Sequence, residues 1–444
     1  MVSGTKPEDY TLEWVNELIE EGRWKTEQLQ KIVYRSIRCC QKGWEREKED
    51  AANKIIALLG EPNAMNFDQY SGYVTVDPKA VRALFYYFTE SQNPSTKPLV
   101  LWLNGGPSCS SLGAGAMNEL GPFRVGKGGK MLLRISTTNE FCVLKIVANI
   151  IFLESPAGVG FFYSNTSSDY IIGETKTVTD AYTFLVNWLE KFLEYKTRDF
   201  LMTGQSYAGH YVPQLVQLIL HNNKITNQTV INLKGLAVGF LFLESSIGIV
   251  SNCNFSSADP PIEAYQAYQS QTSLAKGHID SNNIYASLCS SSSNTPSSYD
   301  PCPDNYVYTY LKTHAVQKSF HANTIGIPGP WKNYKYTDTV LPVIKELTSI
   351  VKSSMPEDLP IHGDIDSVCS VTTTRYALNK LRLSAKTPWH AWYTQGEVGG
   401  YVVEYENLTF VTVRGAGHLV PSYQPARALT LFSSFLVGKL PPSN

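Results

Sequence analysis

Two hydrophobic patterns divide the chain near Tyr70. Between about Leu12 and Leu59, apolar residues recur with a period of about 3.6 among many Glu and Lys side chains, which predicts helices. From Tyr70 onward, short apolar runs are separated by Gly, Pro and Asn residues, which predicts consecutive strands. These runs are GYVTV, ALFYYF, PLVLWLNGGP and ANIIFLESPAG.

Helix-like and strand-like stretches then alternate. Residues 178–191 and 210–221 have helical periodicity, and the strand-like run 198–203 lies between them. The C-terminal part repeats this alternation, with predicted helices at 338–352, 372–383 and 425–437 and predicted strands at LPIHGDID and around Tyr401 and Phe410. Such alternation predicts an α/β fold in which helices cover both faces of a mostly parallel sheet.

A change of composition suggests how the domains are arranged. Residues 240–324 are rich in Ser, Asn and Tyr and lack a regular pattern, so we expect an inserted cap there. The cap would divide the core into residues 55–239 and 325–444. Residues 1–54 form a charged, helical N-terminal extension in this interpretation.

Composition and charge exclude several classes of function. Among the 444 residues, 43% are hydrophobic and 17% are charged, and the net charge of -1 provides no field for nucleic acid or anionic membranes. No apolar stretch approaches the roughly 18 to 20 residues of a membrane span. The eight cysteines form no C-x-x-C pair and no His lies at zinc-ligand spacing, so we expect no metal site. We expect no cofactor either. The oligomeric state stays open.

Chemistry is suggested first by the pentapeptide Gly204-Gln205-Ser206-Tyr207-Ala208. It lies between a strand-like and a helix-like run, where a G-x-S-x-[GA] turn exposes a nucleophilic serine. Small residues flank the serine because the strained turn has no room for larger side chains. The motif is short enough to arise by chance and needs partners elsewhere in the chain.

A serine hydroxyl needs a base and an orienting carboxylate, which in this type of site follow in the order Ser, Asp, His. Asp366 follows a short apolar run in Gly363-Asp364-Ile365-Asp366, and His418 follows the strand-like LTFVTV. Asp364 is the rival carboxylate. We favour Asp366 because the loop after the strand must reach the imidazole.

Five segments of the sequence resemble those of a known protein family. WLNGGPSCSSL, FLESPAGVGFFYS, TGQSYAGHYVPQL, TQGEVGGYVVEY and VRGAGHLVPSYQPARAL resemble the serine carboxypeptidases, especially the plant members. The resemblance runs from about Ile55 to Pro442. It implies an α/β-hydrolase fold and release of single residues from peptide or protein C-termini through an acyl-enzyme.

The resemblance also implies roles for individual residues. Ser206 would be the nucleophile, His418 the base and Asp366 its orienter, while the backbone N–H groups of Gly106 and Tyr207 would form the oxyanion hole. The resemblance also implies a vacuolar or extracellular location. Four sequons would suit a secreted glycoprotein, although residues 1–53 contain no apolar signal region; they lie at Asn165, Asn227, Asn254 and Asn407.

The substrate's terminal carboxylate would bind to the block containing Trp102, Asn104 and Gly105. Two glutamates normally complete that site, and the sequence interpretation places Gln205 and Asn118 at their positions. Acids donate hydrogen bonds to a carboxylate only when protonated, whereas amides donate at any pH. We therefore expect activity without an acid requirement, dependent on a neutral His418. Alternatively, the amides mark a protein that no longer hydrolyses peptides.

Other departures from the family cluster near the active face. The cap is shortened, and only Cys289 and Cys302 retain the pairing that the resemblance implies, a disulfide within the cap. Pro356 and Pro360 cannot donate to a central ladder in the strand before Asp366, which puts the position of Asp366 in doubt. Residues 1–54 have no counterpart in the family. A repurposed acyltransferase and a non-catalytic homologue that binds peptides or partners are the alternative functions.

Overall fold

The computed structural model of the protein describes residues 53–62, 65–107, 109–134, 147–239, 277–289, 300–322, 335–336 and 358–444. The chain divides into two compact units, Met1–Lys54 and Ile55–Asn444, and the elements below belong to the second. The helices predicted within residues 12–52 and at 338–352 lie outside the described residues, as do Asn254 and most of the predicted cap.

A ten-stranded sheet forms the core, with the strand order β1-β2-β6-β3-β8-β9-β11-β14-β13-β12. The six strands from β6 to β14 in this order pair in parallel, and the strands at both edges are antiparallel. The strands are β1 Gln69–Asp77, β2 Arg82–Thr89, β3 Leu99–Asn104, β6 Asn149–Leu153, β8 Phe200–Gln205, β9 Leu233–Val238, β11 Asp358–Gly363, β12 His390–Thr394, β13 Glu397–Tyr405 and β14 Leu408–Val413.

Two short ribbons accompany the main sheet. Strands β4 (Phe123–Val125) and β5 (Leu132–Arg134) form an antiparallel pair. Strands β7 (Ile171–Ile172) and β10 (Lys335–Tyr336) pair in parallel.

Helices cover both faces of the sheet. One core cluster contains side chains of α1 and α2, and the other contains side chains of the π-helix, α3 and α7. The helices are the π-helix Ser111–Glu119, α1 Glu174–Lys191, α2 Ala208–Thr226, α3 Pro303–Leu311, α4 His314–Ser319, α5 Val371–Leu381, α6 Val420–Tyr423 and α7 Pro425–Phe435; 3₁₀ turns lie at Pro94–Thr96, Ser167–Tyr170 and Leu193–Tyr195.

The central strands are buried along their whole length. Every residue of β3, β6 and β8 is buried, because a parallel strand covered on both faces has no solvent side. This burial explains why their sequences are continuous apolar runs rather than alternating ones. The predicted α/β fold with a mostly parallel sheet is confirmed.

Pro360 lies inside a central strand. Asp358 to Pro360 are aligned with Leu236 to Val238 of β9, and Asp358 is also aligned with Leu408 of β14. The pairing with β14 skips Leu359 and Pro360, where proline lacks an N–H, and resumes from Ile361 to Gly363. The doubt about a strand before Asp366 was therefore misplaced.

The region around residue 55 differs from its predicted helix. Ile55 to Leu59 is irregular, and Ile55 and Leu58 are nevertheless buried in the core. Among the described helices, none is both long enough and apolar enough to cross a bilayer.

Candidate active site

Ser206 occupies a strained turn between β8 and α2. Its φ of 60° is a left-handed conformation that few residues other than glycine adopt. A Cβ on Gly204 would lie 2.8 Å from atoms of both Ala208 and Val212, so the strand and helix approach too closely for a side chain there. The small residues of the motif thus hold the half-buried Ser206 at the tip of the turn.

The two segments predicted to supply the oxyanion hole are in direct contact. A Cβ on Gly105 would lie only 2.2 Å from the backbone nitrogen of Tyr207. Gly106 follows with a φ of 112°, which favours glycine. The turn that contains Gly106 is thereby packed against Tyr207, the residue after Ser206.

Asp366 and His418 meet across two loops at the carboxyl ends of β11 and β14. The Nδ1 of His418 lies 2.8 Å from Oδ2 of Asp366, and both side chains are largely buried. The other carboxylate oxygen, Oδ1, accepts hydrogen bonds from the backbone nitrogens of Val368 (2.8 Å) and Cys369 (3.0 Å). This carboxylate is therefore fixed on both sides.

Asp364 has a different position. Its Oδ1 accepts a hydrogen bond from the backbone nitrogen of Gly415 at 2.6 Å, which links the loops after β11 and β14. Of the two carboxylates that the sequence offered, the structure brings Asp366 to His418.

A strap, residues 277–289, holds both loops by backbone hydrogen bonds. The carbonyl of Asn282 accepts from the nitrogen of His418 at 2.7 Å, and the carbonyl of Ser281 accepts from those of Ser367 (3.1 Å) and Val368 (3.2 Å). At the end of the strap, Cys289 forms a disulfide with Cys302, which N-caps α3. The predicted disulfide is confirmed.

Cys369 is a buried neighbour of the site that the sequence analysis did not single out. Its thiol lies beside the Ser206 side chain, and burial raises the pKa of the thiol well above the usual value. Ligand atoms of Asp366, Cys369 and His418 lie within 4.8 Å of one another. Although this spacing suits a metal ion, both carboxylate oxygens already accept hydrogen bonds from the protein. The set therefore fits a catalytic arrangement better than a cation site.

Beside these residues lies a buried polar cluster. Trp102 Nε1 donates to Asn104 Oδ1 at 2.7 Å, and Asn104 Nδ2 lies 2.8 Å from both Glu119 Oε1 and Gln205 Oε1. Gln205 Nε2 in turn donates to the carbonyl of His418 at 3.1 Å. The cluster thus connects the predicted carboxylate-binding residues to the His418 loop.

Asn118 does not join this cluster, contrary to the sequence-based placement. Its Nδ2 donates to Asp304 Oδ1 of α3 at 2.8 Å, so the side chain faces α3. Glu119 takes the expected position instead. The error was one residue of register on the π-helix.

Helix geometry could have identified Glu119. A Cβ on Gly115 would lie 2.7 Å from Asn104 Oδ1, so this face of the helix packs on Asn104. The residue about one turn later on the same face is Glu119 rather than Asn118. A glycine followed four residues later by a glutamate was the available pattern.

Glu119 is held in its protonated form over a wide pH range. Its side chain is completely buried, and burial raises the pKa to about 8, opposed by the hydrogen bond from Asn104. Within the described part of the chain, no donor reaches its second oxygen, Oε2. A protonated Oε2 can donate a hydrogen bond to an incoming acceptor.

A pocket that is partly open to solvent joins the two groups of residues. Its polar wall includes Glu119, Gln205, Asp366 and His418, and its apolar wall is formed partly by α7. A ligand in this cavity would therefore meet the Asp366–His418 pair and the Glu119 cluster at once.

The three described sequons differ in accessibility. Asn165 and Asn227 are exposed, and Asn407 is half-buried in the turn between β13 and β14. The first two are accessible enough to carry a glycan.

Comparisons with known proteins agree with this geometry. The family model described as serine carboxypeptidase matches residues 60–255 and 242–438. Serine carboxypeptidase-like 25 from Arabidopsis thaliana is 41% identical over 450 residues, covering 88% of this chain and 93% of that protein. Serine carboxypeptidase 24 from the same plant is 42% identical over 444 residues, covering 88% and 93%.

A solved structure supports the fold. A prohormone-processing carboxypeptidase from Saccharomyces cerevisiae matches with a TM-score of 0.69 and 23% identity, over 87% of this chain and 96% of that one. The sheet order, the turn at Ser206 and the family match together identify the fold as that of the α/β-hydrolases. The chain belongs to the serine carboxypeptidase family.

Proposed function

We propose that the protein releases single residues from the C-termini of peptides, with Ser206 as nucleophile, His418 as general base and Asp366 as the group that orients His418. The observation that carries this proposal is that Glu119, whose Oε1 accepts from Asn104, lines the same cavity as Asp366 and His418. A buried acid whose second oxygen can donate a hydrogen bond suits the free carboxylate of a chain end.

The first half of the reaction forms an acyl-enzyme. Neutral His418 takes the proton of the Ser206 hydroxyl while Oγ attacks the last peptide carbonyl, and Asp366 holds Nδ1–H and stabilises the imidazolium. The N–H groups of Gly106 and Tyr207 stabilise the oxyanion. His418 then gives its proton to the leaving amine, which releases the C-terminal residue.

Water completes the cycle in the second half. It loses a proton to His418 and attacks the acyl carbon, and the Ser206 alkoxide recovers that proton as the ester breaks. Acyl transfer to an alcohol would use the same groups. Nothing in the described site favours an alcohol over water.

The test is digestion of a peptide mixture followed by mass spectrometry, with Ser206→Ala as the control. We expect stepwise loss of C-terminal residues with the wild type and none with the variant. C-terminally amidated copies of the same peptides should be cut much more slowly because they lack the carboxylate. Internal cleavage, or equal rates on amidated peptides, would contradict the proposal.

We also propose that the protein works outside the cytosol, in a vacuole or the extracellular space. The disulfide Cys289–Cys302 and the exposed sequon residues Asn165 and Asn227 support this location. Enzymatic removal of N-glycans should reduce the mass of the protein isolated from its native cells. An unchanged mass together with reduced Cys289 would argue for the cytosol.

A further inference from the structure

His362 is a buried titratable residue to which the proposed mechanism assigns no role. It lies in β11, four residues before Asp366, and is 1% exposed. Its ring bridges two elements that follow the strand. Nδ1 lies 3.2 Å from the carbonyl oxygen of Cys369, and Nε2 lies 2.6 Å from Oγ1 of Thr374 in α5.

These contacts determine the tautomer of the ring. A carbonyl oxygen can only accept, so Nδ1 carries the proton and donates to Cys369. Nε2 is then an acceptor for the Thr374 hydroxyl. Burial lowers the pKa of His362 to about 4, opposed by the nearby Asp366 carboxylate, so the ring is neutral at and above mildly acidic pH.

The Cys369 carbonyl is the far end of the turn that holds Asp366. In this turn the nitrogens of Val368 and Cys369 both donate to Asp366 Oδ1, while Oδ2 faces His418. Fixing the carbonyl of Cys369 therefore fixes the peptide groups that orient the carboxylate. It also fixes Cys369, whose thiol lies beside Ser206.

We propose that His362 is a positioning residue for the catalytic centre: by donating to the Cys369 carbonyl, it keeps the turn from Asp366 to Cys369 in the conformation that aims Asp366 at His418. The strap holds the same turn from the other side through Ser281. The turn is thus clamped between a core side chain and a surface segment. This inference rests on the proposed roles of Ser206, His418 and Asp366.

Three variants separate hydrogen bonding from packing. His362→Leu removes both bonds, His362→Asn keeps a donor near the position of Nδ1, and Thr374→Val removes only the bond to Nε2. The matched control is Tyr310→Phe, which removes another hydrogen bond from a buried side chain to a backbone carbonyl, from Tyr310 Oη to Leu59 at 2.8 Å. Tyr310 lies in α3 and has no part in the proposed chemistry.

The measurements are kcat and KM on a peptide and the rate at which an organophosphonate labels Ser206. We expect His362→Leu to lower kcat and the labelling rate by about 10- to 100-fold with KM nearly unchanged, because a misplaced Asp366 affects the reaction and not substrate binding. His362→Asn should recover most of the loss, Thr374→Val should fall between them, and Tyr310→Phe should match the wild type.

Several results would overturn the inference. These are wild-type rates in folded His362→Leu, an asparagine variant as slow as the leucine variant, or an equal loss in Tyr310→Phe. If His362→Leu does not fold, the difference between Thr374→Val and Tyr310→Phe decides. Labelling needs no peptide, so a wild type that is labelled but releases no C-terminal residue would disprove the proposed function and still test His362.

Discussion

At the scale of single residues, the charges of two side chains in the proposed carboxylate-binding site bear on the proposed chemistry. Gln205 is neutral at every pH, and its amide accepts from Asn104 and donates to the His418 carbonyl. An ionised glutamate there could not donate to His418. Glu119 remains an acid. Only one side chain, rather than two, must therefore be protonated for the site to bind a carboxylate.

Glu119 should produce a fall in kcat/KM as the pH rises through about 8, where its buried carboxyl ionises. Below this pH the protonated acid donates to the substrate carboxylate, and above it two negative charges repel each other. In Glu119→Gln the amide donates at all pH values, so this alkaline limb should disappear. The measurement is kcat/KM on a peptide from acidic to alkaline pH.

The control for Glu119 is a small ester substrate without a carboxylate. Its hydrolysis depends on Ser206 and His418 but not on carboxylate recognition, so it should lack the limb in both proteins. An unchanged limb in Glu119→Gln would mean that another group titrates.

Gly105 should tolerate no side chain. In Gly105→Ala the new Cβ would meet the Tyr207 nitrogen at 2.2 Å, so the turn must move away from the residue that follows the nucleophile. We expect kcat to fall by about 100-fold or more, as for loss of an oxyanion-hole donor. Gly128→Ala, where nothing lies within 4 Å, is the control and should keep wild-type kcat. Wild-type kcat in Gly105→Ala would exclude a close-packed oxyanion hole.

At the scale of elements, local patterns predicted most strands and helices and the context of Ser206. Strand β8 is a short run that is buried throughout, helix α2 has helical periodicity, and small residues mark the turn between them. The register within the π-helix was missed because the four-residue step from Gly115 to Glu119 was not used. Pro360 was misjudged because the sequence does not reveal that the pairing with β14 resumes at Ile361.

A single disulfide, Cys289–Cys302, ties the end of the strap to the start of α3. Replacing Cys289 and Cys302 together by serine should lower the free energy of unfolding by about 3 kcal/mol, as expected for a cross-link closing a loop of this size. It should also lower kcat, because Asn282 would hold the His418 loop less firmly. Denaturant unfolding and peptide hydrolysis measure the two effects.

The assay of this double variant belongs well below its melting temperature, so that unfolded protein does not account for the lost rate. A stability loss without any change in kcat would show that the strap is structural only. Equal kcat in reduced and oxidised wild type would lead to the same conclusion.

At the scale of the whole molecule, the site depends on contacts that no local pattern contains. Asn282 and His418 lie 136 positions apart, and Asn104 and Glu119 lie 15 positions apart. No sequence motif spans the first pair. The order Ser, Asp, His predicted the three loops because parallel strands present their carboxyl ends at one edge. The strap and His362 became evident only in three dimensions.

We propose that residues 55–444 form the complete catalytic unit. This part contains every element of the sheet and all residues of the candidate site, and it is compact. A protein beginning at Ile55 should fold and keep wild-type kcat and KM, because both described core clusters and the candidate site lie within this unit. Circular dichroism and peptide hydrolysis are the measurements. Loss of either property would show that residues 1–54 complete the fold.

Stability of the whole molecule should decrease as the pH rises from about 5 to 8, partly because of Glu154. Burial raises its pKa to about 7, opposed by hydrogen bonds from Ser110 and Leu112, so the folded state keeps a proton that the unfolded state has lost. Stability from this group is complete below its unfolded pKa and is lost as the pH passes 7. A shift from 4.5 to about 7 corresponds to roughly 3 kcal/mol.

The test is denaturant titration at several pH values. In Glu154→Gln the free energy of unfolding should fall less steeply with rising pH than in the wild type, whereas exposed Glu406→Gln should follow the wild type. An identical slope in Glu154→Gln would place the titrating groups elsewhere, with Glu119 the next to replace.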